Sequence, residues 1–320
     1  KTPYLILGAA FLIAAVIFKF SSIPNQVNIP PEKENIPPEK ENEPENRKTG
    51  ERENAAFPLS RSPALPLSEN KSALSFPQLR LGMIGIFVYV GVEVSTASNL
   101  PEFMRQHLDM PTDKIAPYIS LFWASLMIGR WTSATGAFDL SAYGGLKHLM
   151  IFLMPYLAFA VFLLVNKIAN NDLAPFYVYG FIILAIILAD ILSKGNPSRQ
   201  LLIFSTGGIF SLMIGIFADG IISVYAFISV GLFCSTLWPC IFTLAIAGLG
   251  KKTNEGSSLL IMMIMGGGFI SLLQGYLAKD DLLGIQWSYL VGVVCFIYLG
   301  FYGWKVNRIL KKQGIDYGHL

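Results

Sequence analysis

Residues 80–99 read RLGMIGIFVYVGVEVSTASN, with one charge at the edge, Arg80, and one inside, Glu93. The lipid core of a bilayer is about 30 Å thick and takes about 20 helical residues to cross. This stretch is therefore long and apolar enough to span. Working outward, eight more runs of the same kind occur, at 3–20, 117–138, 147–166, 175–193, 200–218, 221–247, 256–278 and 285–304. Alternation of apolar and polar residues at period two is absent, and backbone groups in lipid must bond within their own segment, so helices rather than strands are expected. The whole composition agrees: 53% hydrophobic, 14% charged, mean hydropathy +0.53. An ordinary soluble domain has about 25% charged residues. The predicted fold class is an all-α integral membrane bundle of about nine spans.

The same arithmetic excludes other classes. A net charge of +3, spread thinly between apolar runs, provides no groove for nucleic acid. The cysteines Cys234, Cys240 and Cys295 lie inside apolar runs, and His107, His148 and His319 are far apart, so no disulfide framework or metal set is expected. Gly250-Lys-Lys-Thr253 lacks the spacing of a phosphate loop and reads as a turn. No Ser-His-Asp or Cys-His set suggests an enzyme.

Counting Lys and Arg on alternate sides of nine crossings gives eighteen on the side holding 21–78 and the C-terminus, and four on the other. That bias predicts a cytoplasmic linker and C-terminus in a cell inner membrane. The linker carries a perfect repeat, IPPEKEN at 29–35 and again at 36–42, and is too polar to offset its ordering entropy. The expected organisation is a helix at 1–23, a disordered linker at 24–78, a transmembrane bundle at 79–307 and a tail at 308–320.

Several motifs resemble the sugar:cation symporters of the major facilitator superfamily, in the fucose and glucose/galactose permease group. They are Phe87–Ser95 (FVYVGVEVS), Met127-Ile-Gly-Arg130, the run Leu232–Gly250 (LFCSTLWPCIFTLAIAGLG), Gly256-Ser-Ser258 and Met265-Gly-Gly-Gly268. The resemblance implies the sixth helix of such a permease, starting near Pro3, followed by its C-terminal half. The missing N-terminal half of the same transporter then becomes an expected partner. Seven spans would suffice for that, so the pair within 147–193 is expected to be an addition at the bundle's periphery.

The polar residues inside the runs are the candidate site. A carboxylate in a span costs about 2.5–3.5 kcal/mol, so Glu93 should face protein or water. Tyr89, Glu93 and Thr96 share one helical face, offering an aromatic platform with polar groups, as a sugar requires. Glu93 reads as a sugar or coupling contact, or as the structural partner of Arg130. Arg130 and Asp139 read as gating or structural charges. Trp238 reads as a sugar-stacking or packing residue beside Pro239, which should kink its helix. Gln274 reads as a reader of sugar hydroxyls or as an interhelical hydrogen bond, with Gly267 and Ser271 on its face. Asn99 reads as a substrate contact or a helix-end cap. The glycines 266–268 read as close-packing or gate positions.

The function expected is secondary active transport of a hexose or deoxyhexose, coupled to H+ or Na+ with no other cofactor, by alternating access. The partners are then a monosaccharide and the lipid bilayer. The alternative is a transporter-derived sensor that binds sugar without moving it.

Overall fold

The computed structural model describes residues 72–134, 144–315 and 317. The first run, the linker with its repeat and Asp139 lie outside the described residues. Every regular element among them is helical: α1 Pro77–Leu108, α2 Thr112–Ala134, α3 Gly144–Ile168, α4 Tyr179–Ser193, α5 Pro197–Phe217, α6 Gly220–Cys234, α7 Leu237–Ile246, α8 Thr253–Met262, α9 Gly266–Leu277, α10 Gly284–Ser288 and α11 Leu290–Lys312.

Among the described residues, seven continuous or jointed segments are long and apolar enough to cross a bilayer: α1, α3, α4 with its leading turn, α5, α6–α7, α8–α9 and α10–α11. The run expected at 117–138 is α2, which carries Asp113, Lys114 and Arg130 and so falls short of that apolarity. At 23 residues, a rise of 1.5 Å per residue still gives it roughly 35 Å, enough to cross beside its neighbours.

α1 is the hub, in contact with α9, α11, α7, α6 and α2. It buries Leu79, Ile86, Tyr89, Val92, Leu100 and Phe103. Its tightest approach is to α9. A Cβ on Gly266 would collide with the Phe87 carbonyl, so only glycine lets the two backbones meet there. Behind α1, α5 packs on α11 and α6. The pair α3 and α4 packs on the outside of α2 and α5 and leaves rows of apolar side chains, among them Leu153, Leu157, Leu164, Phe181 and Leu188, exposed. In a protein whose solvent is lipid, such rows are expected on the outer face.

Two of the expected continuous runs are broken. The run at 221–247 divides into α6 and α7 at Ser235–Thr236, one turn before Pro239. A proline has no N–H to give the carbonyl four residues earlier, so the ladder fails at Ser235 rather than at Pro239 itself. The run at 256–278 divides into α8 and α9 through a 3₁₀ turn at Met263–Met265, just ahead of Gly266-Gly-Gly268.

Side chains tie the helix ends. Asn196 accepts from the Arg199 N–H at 3.1 Å, with Pro197 opening α5. Gln286 donates to the carbonyls of Gly215, Ile216 and Ala218 at 3.0–3.2 Å and closes the far end of α5. Gln78 donates to Ala247 at 3.0 Å and Gln313 at 3.2 Å, joining the starts and ends of α1, α7 and α11.

Candidate functional site

The site is built around the broken helix. Because Pro239 offers no N–H, the Ser235 carbonyl is left without its helical donor, and Arg130 Nε donates to it at 3.3 Å. Gly129 sits where a Cβ would collide with Ser235 Oγ, so α2 comes close enough to deliver the guanidinium. Three residues of unrelated type, Gly129, Arg130 and Pro239, thus make one joint.

Arg130 borders three adjoining recesses. The first, about 440 Å³, is lined by Tyr89, Val90, Glu93, Arg130, Trp238, Pro239 and Ile264. The second, about 210 Å³, adds Trp123, Leu126, Met127 and Trp131 to Glu93 and Arg130. The third, about 350 Å³, has Ser133, Gln200, Ser235, Thr236, Cys240 and Thr243 in its wall. Glu93 and Arg130 share two of the three, yet no ion pair closes between them among the described residues. Both charged side chains therefore line the same two recesses. Trp238 stacks on Phe242 with ring centroids 5.1 Å apart and 18° between planes, which fixes the indole at the rim of the first recess.

Of the residues singled out in the sequence, Tyr89, Glu93, Arg130, Trp238 and Pro239 are therefore gathered at one recess. Gln274 and Gly267 are not in its wall. Gln274 is 1% exposed, and its amide nitrogen has no hydrogen-bond partner; Thr96 Oγ1 and Ser271 Oγ share that condition. Gly267 faces Val90 and Val94 of α1. Asn99 corrects one expectation: α1 continues to Leu108, so Asn99 caps no helix end, and it donates instead to the Ser95 carbonyl one turn back at 2.8 Å. The kink expected at Pro239 is displaced to Ser235–Thr236.

The sequence reading missed the third recess. Ser133 donates to Asp190 at 2.8 Å, and the Gln200 amide donates to Ser133, Asp190 and Thr236 at 3.2–3.3 Å. The signal was there: Asp190 is a carboxylate inside the apolar run 175–193, and the argument that marks Glu93 marks it too.

No family model matches the chain. It is 28% identical over 305 residues to a glucose/galactose transporter of Brucella abortus, covering 95% of this chain and 52% of that protein. It is 30% identical over 116 residues to the L-fucose-proton symporter of Haemophilus influenzae, covering 35% of this chain and 27% of that one. The crystal structure of FucP, a major facilitator superfamily transporter in its outward conformation, superposes with a TM-score of 0.51 over 73% of this chain and 44% of FucP, at 20% identity. The chain is thus similar in sequence to these transporters over nearly its whole length and shares the fold of FucP. The chain spans about half the length of the Brucella relative it matches. A putative glucose/galactose transporter of Helicobacter pylori, 26% identical over 240 residues, shows the same proportion, with 45% of its length covered.

Proposed function

We infer that the chain supplies the C-terminal half of a secondary active transporter for a hexose or deoxyhexose, coupled to a cation and working by alternating access in a bacterial inner membrane. The observation that carries this is the 440 Å³ recess, where a carboxylate, a guanidinium, a phenol and an indole meet at a break in a membrane helix. Sugar hydroxyls ask for charged and polar partners, and the C–H faces of the ring ask for an aromatic wall. Broken helices near the middle of the membrane are where transporters place their substrates. In this reading Glu93 accepts from sugar hydroxyls, Arg130 donates to them and Trp238 covers a ring face. Asn99 and Gln274 line the path only when α1 and α9 part, and Gly267 and Gly266 let the two helices slide. The pair α3–α4 is an addition outside the working bundle, and the linker and C-terminus face the cytoplasm.

The test is counterflow of radiolabelled glucose, galactose and fucose in proteoliposomes holding the complete reading frame, with Na+ and pH gradients imposed in turn. Accelerated exchange that falls at least tenfold in Glu93→Gln supports the assignment. Sugar binding without any exchange would overturn it in favour of a sensor.

A further inference from the structure

The last helix carries a stripe that neither the sugar site nor the packing of the bundle uses. Val294, Ile297, Phe301 and Trp304 follow one another at spacings of three, four and three, and all are 43–66% exposed. Such spacing sets them on one face of α11, between the side that meets α5 through Gly303 and the side that meets α1 through Tyr302. The step from Val294 to Trp304 is ten residues, a rise of about 15 Å. That is the depth of one leaflet in a hydrocarbon core about 30 Å thick. Trp304 then falls where acyl chains give way to headgroups, the level at which an indole is best placed.

One turn further along stands Arg308, its guanidinium 4.0 Å from the centre of the Trp304 ring. The stack holds the cation against the indole and leaves its N–H edge to an acceptor from outside the protein. Lys305 and Lys312 flank it on the same exposed side of α11. Arg80 comes to the same end of the bundle from α1, because the Tyr298 hydroxyl donates to the neighbouring Leu81 carbonyl at 2.9 Å. All four cations are exposed, and among the described residues no ion pair engages any of them. Neither Asp nor Glu occurs in α11. The turn after α9 offers the contrast. There Lys279 lies over the Tyr276 ring at 4.9 Å, but Asp280 and Asp281 follow directly and outweigh its charge.

We propose that Trp304 and Arg308, with Lys305, Lys312 and Arg80 beside them, form a binding site for one anionic phospholipid. The phosphate takes the edge of the guanidinium in two parallel N–H···O bonds, and an acyl chain lies along Phe301, Ile297 and Val294. The apolar stripe admits any lipid; the cations select among headgroups. Lys305, Lys312 and Arg80 attract a headgroup with net negative charge and repel the ammonium group of a zwitterionic one. A lipid held there bridges the start of α1 and the end of α11, which Gln78 and Gln313 also join, at 3.2 Å. The site does not depend on the transport reading above.

The experiment is tryptophan quenching in phosphatidylcholine vesicles holding the full chain. One set carries a minor fraction of phosphatidylglycerol brominated on its acyl chains, and the other the same fraction of brominated phosphatidylcholine. Brominated phosphatidylglycerol is expected to quench about twofold more, through enrichment beside the cations. The excess should disappear in Trp304→Phe, which removes the reporter. Arg308→Gln, with Trp304 in place, should lose most of it, and Lys279→Gln should leave it unchanged. If Arg308→Gln does not insert, the double variant Lys305→Gln with Lys312→Gln decides, with a severalfold loss of the excess expected. Equal quenching by the two brominated lipids would overturn the site. So would an excess that survives Trp304→Phe or Arg308→Gln, or one that Lys279→Gln removes.

Discussion

Pro239 and Arg130 are coupled through an atom that belongs to neither. The proline withholds a donor from the Ser235 carbonyl and the arginine supplies one. Pro239 stands in the first turn of α7, where a missing N–H costs little. Pro239→Ala should therefore change the thermal midpoint little while supplying a backbone N–H that competes with Arg130, and sugar exchange should fall severalfold in the same preparation. Arg130→Lys lacks the Nε donor and should lose exchange at least tenfold with little change in stability. Thr96 gives the complementary case. Its hydroxyl is buried at 0% exposure with no partner. An unsatisfied buried polar group costs about 1–3 kcal/mol. Thr96→Val should stabilise the chain by about 1 kcal/mol in a denaturation assay and slow exchange, if that hydroxyl finds its partner in another conformation. Legibility differs among these residues. Glu93 was readable because a carboxylate stands out in an apolar run. The Arg130 joint was not, because it needs α2 and the α6–α7 break side by side, and spacing within one helix holds no record of that.

At the scale of elements, the contact between α1 and α9 depends on glycines that are unequal. A Cβ on Gly266 would strike the Phe87 backbone, whereas one on Gly268 would meet nothing within 4 Å. Overpacking costs about 1–3 kcal/mol. Gly266→Ala should lower the thermal midpoint correspondingly, and Gly268→Ala should leave it level or raise it slightly through better helix propensity. The three consecutive glycines look alike in sequence, and only the facing helix distinguishes them. Span positions, by contrast, were largely legible, since hydrophobic length follows directly from bilayer thickness. The breaks at Ser235–Thr236 and Met263–Met265 were harder to place. The first falls before Pro239 because helical bonds reach back one turn, and the second lies directly ahead of Gly266.

For the whole molecule, the charge count makes an orientation prediction that the buried cysteines render easy to check. Cys234, Cys240 and Cys295 are free and buried. A membrane-impermeant maleimide applied to intact cells should thus meet little background. Asn254→Cys, at the exposed start of α8, should be labelled only after the membrane is opened, and Asp280→Cys, in the turn after α9, from outside. The opposite pattern would reverse the assigned sidedness. Global architecture was legible to this depth because lipid imposes one rule on every span, whereas Asp190 shows where that rule stops. Its meaning depends on Ser133 and Gln200, which are 57 and 10 residues away in the chain.

The shared carbonyl of Ser235 also has an evolutionary corollary. An arginine whose anchor exists only because a neighbouring helix contains an imino acid loses that anchor once the imino acid is replaced, and with it the orientation its sugar contact needs. Across homologous permeases, positions 130 and 239 should accordingly be inherited as a pair, arginine vanishing in lineages where proline has vanished, with position 129 free to acquire bulk only in those same lineages.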